Sequence, residues 1–117
     1  MLSTTPIQWY PGHIAKAEKA LLEQIKRVDV VLEVRDARIP LASSHPQVDR
    51  WIGDKPKILV LNRVDCISPK AVDLWRTWFK AQGENPYFTD ARRGKGVSAV
   101  AKAAQLTGES LNQRRHA

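Results

Sequence analysis

The chain has 117 residues, a length typical of one small domain, so two large domains are excluded. Its 19 Lys and Arg against 12 Asp and Glu give a net charge of +7, and 43% of the residues are hydrophobic, which is too many for a disordered basic tail. The sequence has no apolar run of about 18 residues that could span a bilayer and no secretory signal, and its single cysteine, Cys66, cannot form an intramolecular disulfide. We therefore expect a folded cytoplasmic protein without a membrane partner.

The positive charge is concentrated toward the C-terminus, where Glu109 is the only acidic residue after residue 91. A field of this sign favours a polyanionic partner such as RNA, although charge alone defines neither a fold nor a site. The basic residues of this segment are Arg92, Arg93, Lys95, Lys102, Arg114 and Arg115.

Taken in chain order, the first element is a helix that follows the turn signal Pro11-Gly12. Its apolar positions step by three and four, which predicts an amphipathic helix. Those positions are Ile14, Ala17, Leu21, Ile25 and Val28. Lys16 and Lys19 fall on the polar side, where a solvated face or an RNA contact is favoured over a catalytic role.

Three short apolar runs follow, and each ends in a polar, turn-forming loop. They cover residues 30–34, 58–61 and 87–89. The first run has no strict alternation, which predicts a strand buried on both faces. Long connections separate the runs, so the strands are predicted to be parallel and joined by helical crossovers.

The crossovers carry helix signals of different strength. Ser43 or Ser44 is predicted to cap a short helix through Trp51, and Ser68 with Pro69 opens a stronger helix that stops at Gly83. A last helix begins after Gly96. The prediction is a three-layer α/β domain over residues 1–106, a mostly parallel sheet with helices on both faces, followed by a basic polar tail or linker over residues 107–117.

The most informative loop is Asn62-Arg63-Val64-Asp65, after the second strand. A carboxylate there can accept two parallel hydrogen bonds from guanine, from the ring N–H and the exocyclic amino group, a pair that adenine does not offer. An amide three residues earlier can bond the ring nitrogen on the other edge and tie neighbouring loops together, and the long residue between them can cover the base. The alternative is that Asn62 and Asp65 only close a β–α turn.

Several motifs together resemble a known family. Asn62-Arg63-Val64-Asp65 is similar to the Asn-Lys-x-Asp motif of GTPases, and Asp90-Ala91-Arg92 is similar to their following Ser-Ala-Lys motif. Residues 7–17 and Asp36-Ala37-Arg38-Ile39-Pro40 resemble signatures of the circularly permuted GTPases of the YlqF type, the ribosome biogenesis GTPase A family. In that family the guanine-reading motifs precede the phosphate-binding ones.

The resemblance implies a circularly permuted, P-loop-GTPase-like partial domain that binds GTP or GDP and acts in assembly of the large (50S) ribosomal subunit on rRNA. It assigns Asn62, Arg63, Asp65, Asp90 and Ala91 to the guanine base. It assigns to His13 the orientation of the water that hydrolyses GTP, with a solvent-exposed histidine at a helix start as the alternative.

The sequence departs from the family pattern at three points. Arg63 replaces the usual Lys, and Asp90 stands where Ser is common and is expected to weaken the turn under the base. The sequence contains neither Gly-x-x-x-x-Gly-Lys-Ser/Thr nor a later Asp-x-x-Gly, so phosphate and Mg²⁺ binding are expected only in a full-length protein. We expect an N-terminal portion that hydrolyses no GTP alone.

Two other functions compete with this interpretation. Residues 94–99, Gly-Lys-Gly-Val-Ser-Ala, match the spacing of a dinucleotide-binding fingerprint, but they follow the third strand and no acidic residue lies about 20 positions later. The second alternative is a basic α/β module that binds rRNA or the ribosome without any nucleotide.

Overall fold

The computed structural model describes residues 11–116, which form four α-helices, three strands and two 3₁₀ turns. Each predicted strand and helix is present, although α2 begins later and α4 ends later than predicted. In chain order the elements are α1 (Pro11–Arg27), β1 (Val31–Asp36), α2 (Val48–Ile52), β2 (Lys57–Asn62), a 3₁₀ turn (Val64–Cys66), α3 (Pro69–Ala81), β3 (Tyr87–Thr89), a second 3₁₀ turn (Ala91–Arg93) and α4 (Val97–His116).

The three strands form one parallel sheet in the order β1-β2-β3, with β2 in the centre. The register pairs Asp36 with Asn62 and Asn62 with Thr89, so the carboxyl ends of all three strands lie in one row. This arrangement confirms the predicted α/β fold and brings the three polar loops to the same edge of the sheet.

Helices cover both faces of the sheet, as predicted. On one face Leu59 and Leu61 pack with Phe79 of α3. On the other face Ile58 and Val60 pack with Val100 of α4. Because successive side chains of a strand point to opposite faces, the uninterrupted apolar run of β2 supplies both clusters.

The prediction that the first strand is buried on both faces is wrong. The side chains of Leu32 and Val34 share the α4 side with Ile58 and Val60, yet Leu32 is 45% and Val34 is 60% exposed. β1 lies at an edge of the sheet, and the α4-side core cluster is built on β2, β3 and α4, with Val30 at its margin. An apolar run therefore identified the strand but not its position in the sheet.

The predicted cap of α3 is confirmed, whereas that of α2 is wrong. Ser68 precedes Pro69, and its side chain accepts a hydrogen bond from the backbone N–H of Ala71 at 3.1 Å. Gln47 occupies the N-cap position of α2 and makes no side-chain cap bond. Ser43 instead bonds within the loop after β1.

The last helix continues past residue 106, where the sequence analysis ended it. α4 spans Val97–His116, so residues 107–116 are helical although they lack an apolar period. The division of the chain at residue 106 stays a prediction. In the part of the chain that the structure describes, no helix is both long and apolar enough to cross a membrane.

Candidate functional site

The candidate site lies at the carboxyl ends of the strands, where Asp36, Asn62 and Thr89 stand in register. In open parallel sheets ligands bind at this edge, because the loops meet there and the following helices begin there. The structure thus brings five of the six predicted site residues, Asn62, Arg63, Asp65, Asp90 and Ala91, to neighbouring loops.

Asn62 ties the loop after β2 to the loop after β3. Its Oδ1 accepts a hydrogen bond from the hydroxyl of Thr89 at 2.9 Å and another from the backbone N–H of Ala91 at 2.9 Å. The predicted link between the loops is therefore present. Because Oδ1 is occupied by these two donors, the side-chain amide nitrogen is the group of Asn62 that remains for a ligand acceptor.

Arg63 is the one non-glycine residue with positive φ in the described chain, at φ 70° and ψ 38°. A left-handed conformation costs an arginine about 1–2 kcal/mol, and such costs are concentrated at functional sites. The reversal starts the 3₁₀ turn Val64–Cys66, which contains Asp65, three residues after the strand end. The structure of this loop is thus set by backbone geometry that the local sequence does not favour.

Asp65 is held in the charged form by its neighbours. Partial loss of solvent opposes ionisation, but the thiol of Cys66, 3.5 Å from Oδ2, and the guanidinium of Arg63, whose Nε lies 3.6 Å from Oδ1, outweigh it and hold the pKa of Asp65 below its usual value. An ionised carboxylate is a pure hydrogen-bond acceptor. Asp65 is therefore suited to a ligand edge that presents two donors.

The turn after β3 is closed mainly by backbone hydrogen bonds. Asp90 and Lys95 exchange N–H to C=O bonds at 2.9 and 3.0 Å, and the N–H of Arg93 donates to Asp90 O at 3.1 Å. The carboxylate of Asp90 is buried, with Arg93 Nε at 3.8 Å. These backbone bonds do not depend on the side chain at position 90, and the weakening expected from the missing Ser stays a prediction.

Gly96 fixes the distance between this turn and β3. It has φ 78°, and a Cβ at this position would lie 2.5 Å from the backbone oxygen of Phe88. Only glycine fits such an approach without displacement of the strand. The Gly94-Lys95-Gly96 segment, which suggested a dinucleotide fingerprint, thus has a structural reason for its second glycine.

The loop after β1 adds residues that the sequence analysis did not assign to the site. Arg38 donates to both carboxylate oxygens of Asp36, at 2.6 Å and 3.0 Å, and these bonds lower the pKa of Asp36 to about 2. The same contacts raise the pKa of Arg38, with smaller contributions from the charges of Cys66 and Asp65. Arg38 therefore stands beside the loop of Asp65.

Side-chain hydrogen bonds of Ser43 and Arg35 fix that first loop. Ser43 Oγ accepts from the N–H of Asp36 at 2.9 Å and donates to Ile39 O at 2.7 Å. Arg35 donates to Pro40 O at 3.3 Å while it pairs with Glu33 at 2.9 Å. The sequence Asp36-Ala37-Arg38 shows a charged residue at position 38, but only the fold shows that Arg38 lies near Asp65.

A groove beside Asp65 has the size of a small-molecule site. It encloses about 490 Å³, with Asp65 and Lys95 among its polar residues and Phe88 and Ile67 among its apolar ones. Arg76 also lines it and lies over the Phe88 ring, 5.1 Å from the centroid. Arg92, Arg93 and Lys95 are exposed at the same edge of the sheet.

His13, the sixth predicted site residue, is not placed at the site by these observations. It belongs to the first turn of α1, and its side chain lies outside the described part of the structure. Its role stays a prediction.

Comparison with known proteins identifies relatives over most of the chain. No family model matches. Ribosome biogenesis GTPase A of Priestia megaterium is 40% identical over 99 residues, which are 85% of this chain and 34% of the relative. The chain is homologous to the ribosome biogenesis GTPase A (YlqF) proteins.

A second member of this group, ribosome biogenesis GTPase A of Thermotoga maritima, is 42% identical over 78 residues, or 67% of this chain and 29% of the relative. The structure of GNP-bound YlqF from T. maritima superposes with a TM-score of 0.55 at 34% identity, covering 64% of this chain and 31% of that one. This chain thus spans about a third of the length of the YlqF proteins it matches. The YlqF homology supports the resemblance drawn from residues 36–40, 62–65 and 90–92 over the dinucleotide alternative.

Proposed function

We propose that the loop of residues 62–65 and the turn of residues 90–96 bind the guanine base of GTP or GDP. The observation that carries the proposal is the shared bonding of Asn62, whose Oδ1 accepts from both Thr89 and Ala91 and so holds the two loops at a fixed separation. YlqF of T. maritima has been solved with GNP bound, and this chain is 34% identical to it over the aligned part.

In this proposal Asp65 reads the base. Its lowered pKa keeps the carboxylate charged at neutral pH, so it accepts from the ring N–H and the exocyclic amino group of guanine. Adenine presents an acceptor where guanine presents the ring N–H, which leaves a carboxylate oxygen facing a lone pair. Asn62 donates its amide N–H to the ring nitrogen on the other edge.

Arg63, Asp90 and Ala91 complete the proposed base pocket in different ways. The stem of Arg63 covers the ring, and Asp90 holds the turn through its backbone bonds to Lys95 and Arg93. The N–H of Ala91 already donates to Asn62 at 2.9 Å, so it contacts the base carbonyl only by sharing that hydrogen. We therefore assign the N–H of Ala91 a smaller role in binding the base carbonyl than the family resemblance implies.

The sequence of this chain lacks the motifs that hold the phosphates and Mg²⁺ in GTPases. Among the side chains that the structure describes, those of residues 15–114, no group of three or more His, Cys, Asp or Glu could hold a metal ion, and we derive no step through one. We propose that this chain corresponds to the guanine-reading part of a circularly permuted GTPase, and that the phosphate-binding part belongs to a longer protein. Hydrolysis is assigned to that longer protein.

His13 would act there by orienting the attacking water. In a longer protein that binds phosphate, His13→Ala should lower the hydrolysis rate by about a hundredfold and leave the GTP affinity nearly unchanged. Equal turnover of the variant and the parent would return His13 to the alternative of an exposed histidine at a helix start.

The ribosome biogenesis name of the relatives supports a role in ribosome assembly, for which the family resemblance implies the large subunit, and the exposed cations support an rRNA contact. Arg92, Arg93 and Lys95 lie in or next to the proposed base pocket, and Lys102 and Arg114 are exposed on α4. The same cations favour the alternative function, an rRNA-binding module that needs no nucleotide. The two differ in whether guanosine binds.

The test is a titration of the 117-residue chain with guanosine and with adenosine, followed by amide chemical shifts. Without phosphate contacts we expect an affinity of about millimolar for guanosine, with shifts at Asn62, Asp65 and Ala91, and at least about tenfold weaker binding of adenosine. Asp54→Asn, which removes an exposed carboxylate in the turn before β2, is the control and should bind like the parent. Equal shifts with both nucleosides, or none, would exclude base reading and leave the rRNA module.

A further inference from the structure

We propose that Arg63 competes with the base for Asp65, so that it lowers the affinity of the site for guanine as well as covering the ring. The inference rests on the proposed function, because it takes Asp65 as the group that reads guanine. It concerns the one position of the 62–65 motif at which this chain departs from the family pattern.

Both oxygens of the Asp65 carboxylate already face a positive or donor group. Arg63 Nε lies 3.6 Å from Oδ1, and the thiol of Cys66 is 3.5 Å from Oδ2. Arg63 Nη2 also donates to Cys66 Sγ at 3.2 Å, so the guanidinium bridges the two residues. The planar fork of arginine allows this double contact, which a lysine ammonium, a single point charge, reproduces less well.

The neighbouring carboxylate does not relieve this pairing. Asp36 is the other carboxylate whose pKa the charge of Arg63 lowers, but its two oxygens are bound by Arg38 at 2.6 and 3.0 Å. The positive charge of Arg38 repels that of Arg63, and it partly offsets the contacts that raise the pKa of Arg63. Because Arg38 occupies Asp36 and repels Arg63, Asp65 is the carboxylate with which Arg63 pairs.

The effect should be modest, because both side chains meet solvent. The Arg63 side chain is 42% and the Asp65 side chain 30% exposed, and ion pairs of this kind change an equilibrium by up to about fivefold. Guanosine needs both carboxylate oxygens. Inosine lacks the exocyclic amino group and needs one, so Arg63 should penalise guanosine more than inosine.

The experiment compares the 117-residue chain with Arg63→Gln, using guanosine and inosine as probes and amide shifts as the readout. Arg63→Gln keeps a long polar stem but removes the charge, and Arg63→Asn is a second variant that tolerates the left-handed backbone. Arg50→Gln removes a charge that pairs with Glu18 at 3.4 Å on α1, and it serves as the control.

We expect Arg63→Gln to bind guanosine about two- to fivefold more tightly than the parent, Arg63→Asn, which also loses the covering stem, to gain less, and Arg50→Gln to leave the affinity unchanged. Inosine should change by less than guanosine. Because guanosine is uncharged, raising the salt from about 20 to about 500 mM should tighten its binding to the parent by screening the ion pair, and should have no such effect on the Arg63 variants.

Weaker binding of both nucleosides to the Arg63 variants would show that Arg63 only covers the base and would overturn this inference, while leaving the proposed function intact. A parent affinity independent of salt would also overturn it. Guanosine without any shift at Asn62, Asp65 and Ala91, in the parent and in every variant, would overturn the proposed function as well.

Discussion

The loop after β2 and the turn after β3 lie at the same edge of the sheet and are both closed by backbone hydrogen bonds, but they differ in how far charged side chains contribute. Residues 90–96 are closed by backbone bonds, with Asp90 buried and Gly96 against Phe88. Residues 63–66 are closed by one backbone bond, from the N–H of Cys66 to Arg63 O at 3.0 Å, and add contacts among half-exposed charged and polar side chains around a strained Arg63. The comparison separates a scaffold, where substitutions should affect folding, from a recognition loop, where they should affect binding.

The largest expected effect is on the scaffold. Gly96→Ala places a Cβ 2.5 Å from a backbone oxygen at φ 78°, so we expect a loss of about 3 kcal/mol in the free energy of unfolding. Urea denaturation measures it. Gly108→Ala is the matched control, because it lies in α4 with open space around it and should stabilise by up to about 1 kcal/mol. Equal stability of the two variants would contradict the close approach.

The link between the two regions comes second. Asn62→Ala removes the acceptor of two hydrogen bonds and leaves the buried Thr89 hydroxyl and the Ala91 N–H unpaired, at a cost of about 2 kcal/mol. Thr89→Val removes one of those donors together with its bond and should cost about 1 kcal/mol. Denaturation midpoints of both variants test this order, and a larger loss for Thr89→Val would show that Asn62 does not join the loops.

The type of an element was predictable from sequence where a local pattern of residues was sufficient to identify it. The apolar run of β2 and the Ser68-Pro69 start of α3 each indicated the right element. The edge position of β1 was not predictable, because apolar residues such as Leu32 and Val34 are equally compatible with an edge strand and a central strand. The extension of α4 to His116 was missed because residues 107–116 carry no apolar period.

The candidate site divides in the same way. Asn62 and Asp65 were identified by residue type and spacing, and the register of the sheet brings Asn62 to Thr89 and the loop beyond it. The placement of Arg38 beside Asp65 depends on the pairing of β1 with β2, which no local pattern reveals. The left-handed conformation of Arg63 was equally hidden, since arginine does not favour it.

The smallest expected effect is that of pH on the recognition loop. The pKa of Asp65 lies below its usual value, so the carboxylate stays charged as pH falls from about 7.5 to about 5 and protonates only below its unperturbed pKa of about 3.9. Guanosine affinity should therefore change by less than about twofold over this range, as measured by shift titration. A midpoint near pH ~6 would instead point to a histidine in the site.

The most direct test of base reading is the exchange of specificity by Asp65→Asn. Xanthosine carries a carbonyl where guanosine carries the exocyclic amino group, and the amide introduced at position 65 can donate to it. The 117-residue variant should bind xanthosine more tightly than guanosine, the reverse of the parent, with a stability within about 0.5 kcal/mol of the parent because residue 65 is exposed. An unchanged preference for guanosine over xanthosine in the folded variant would contradict the assignment of Asp65 as the group that reads guanine.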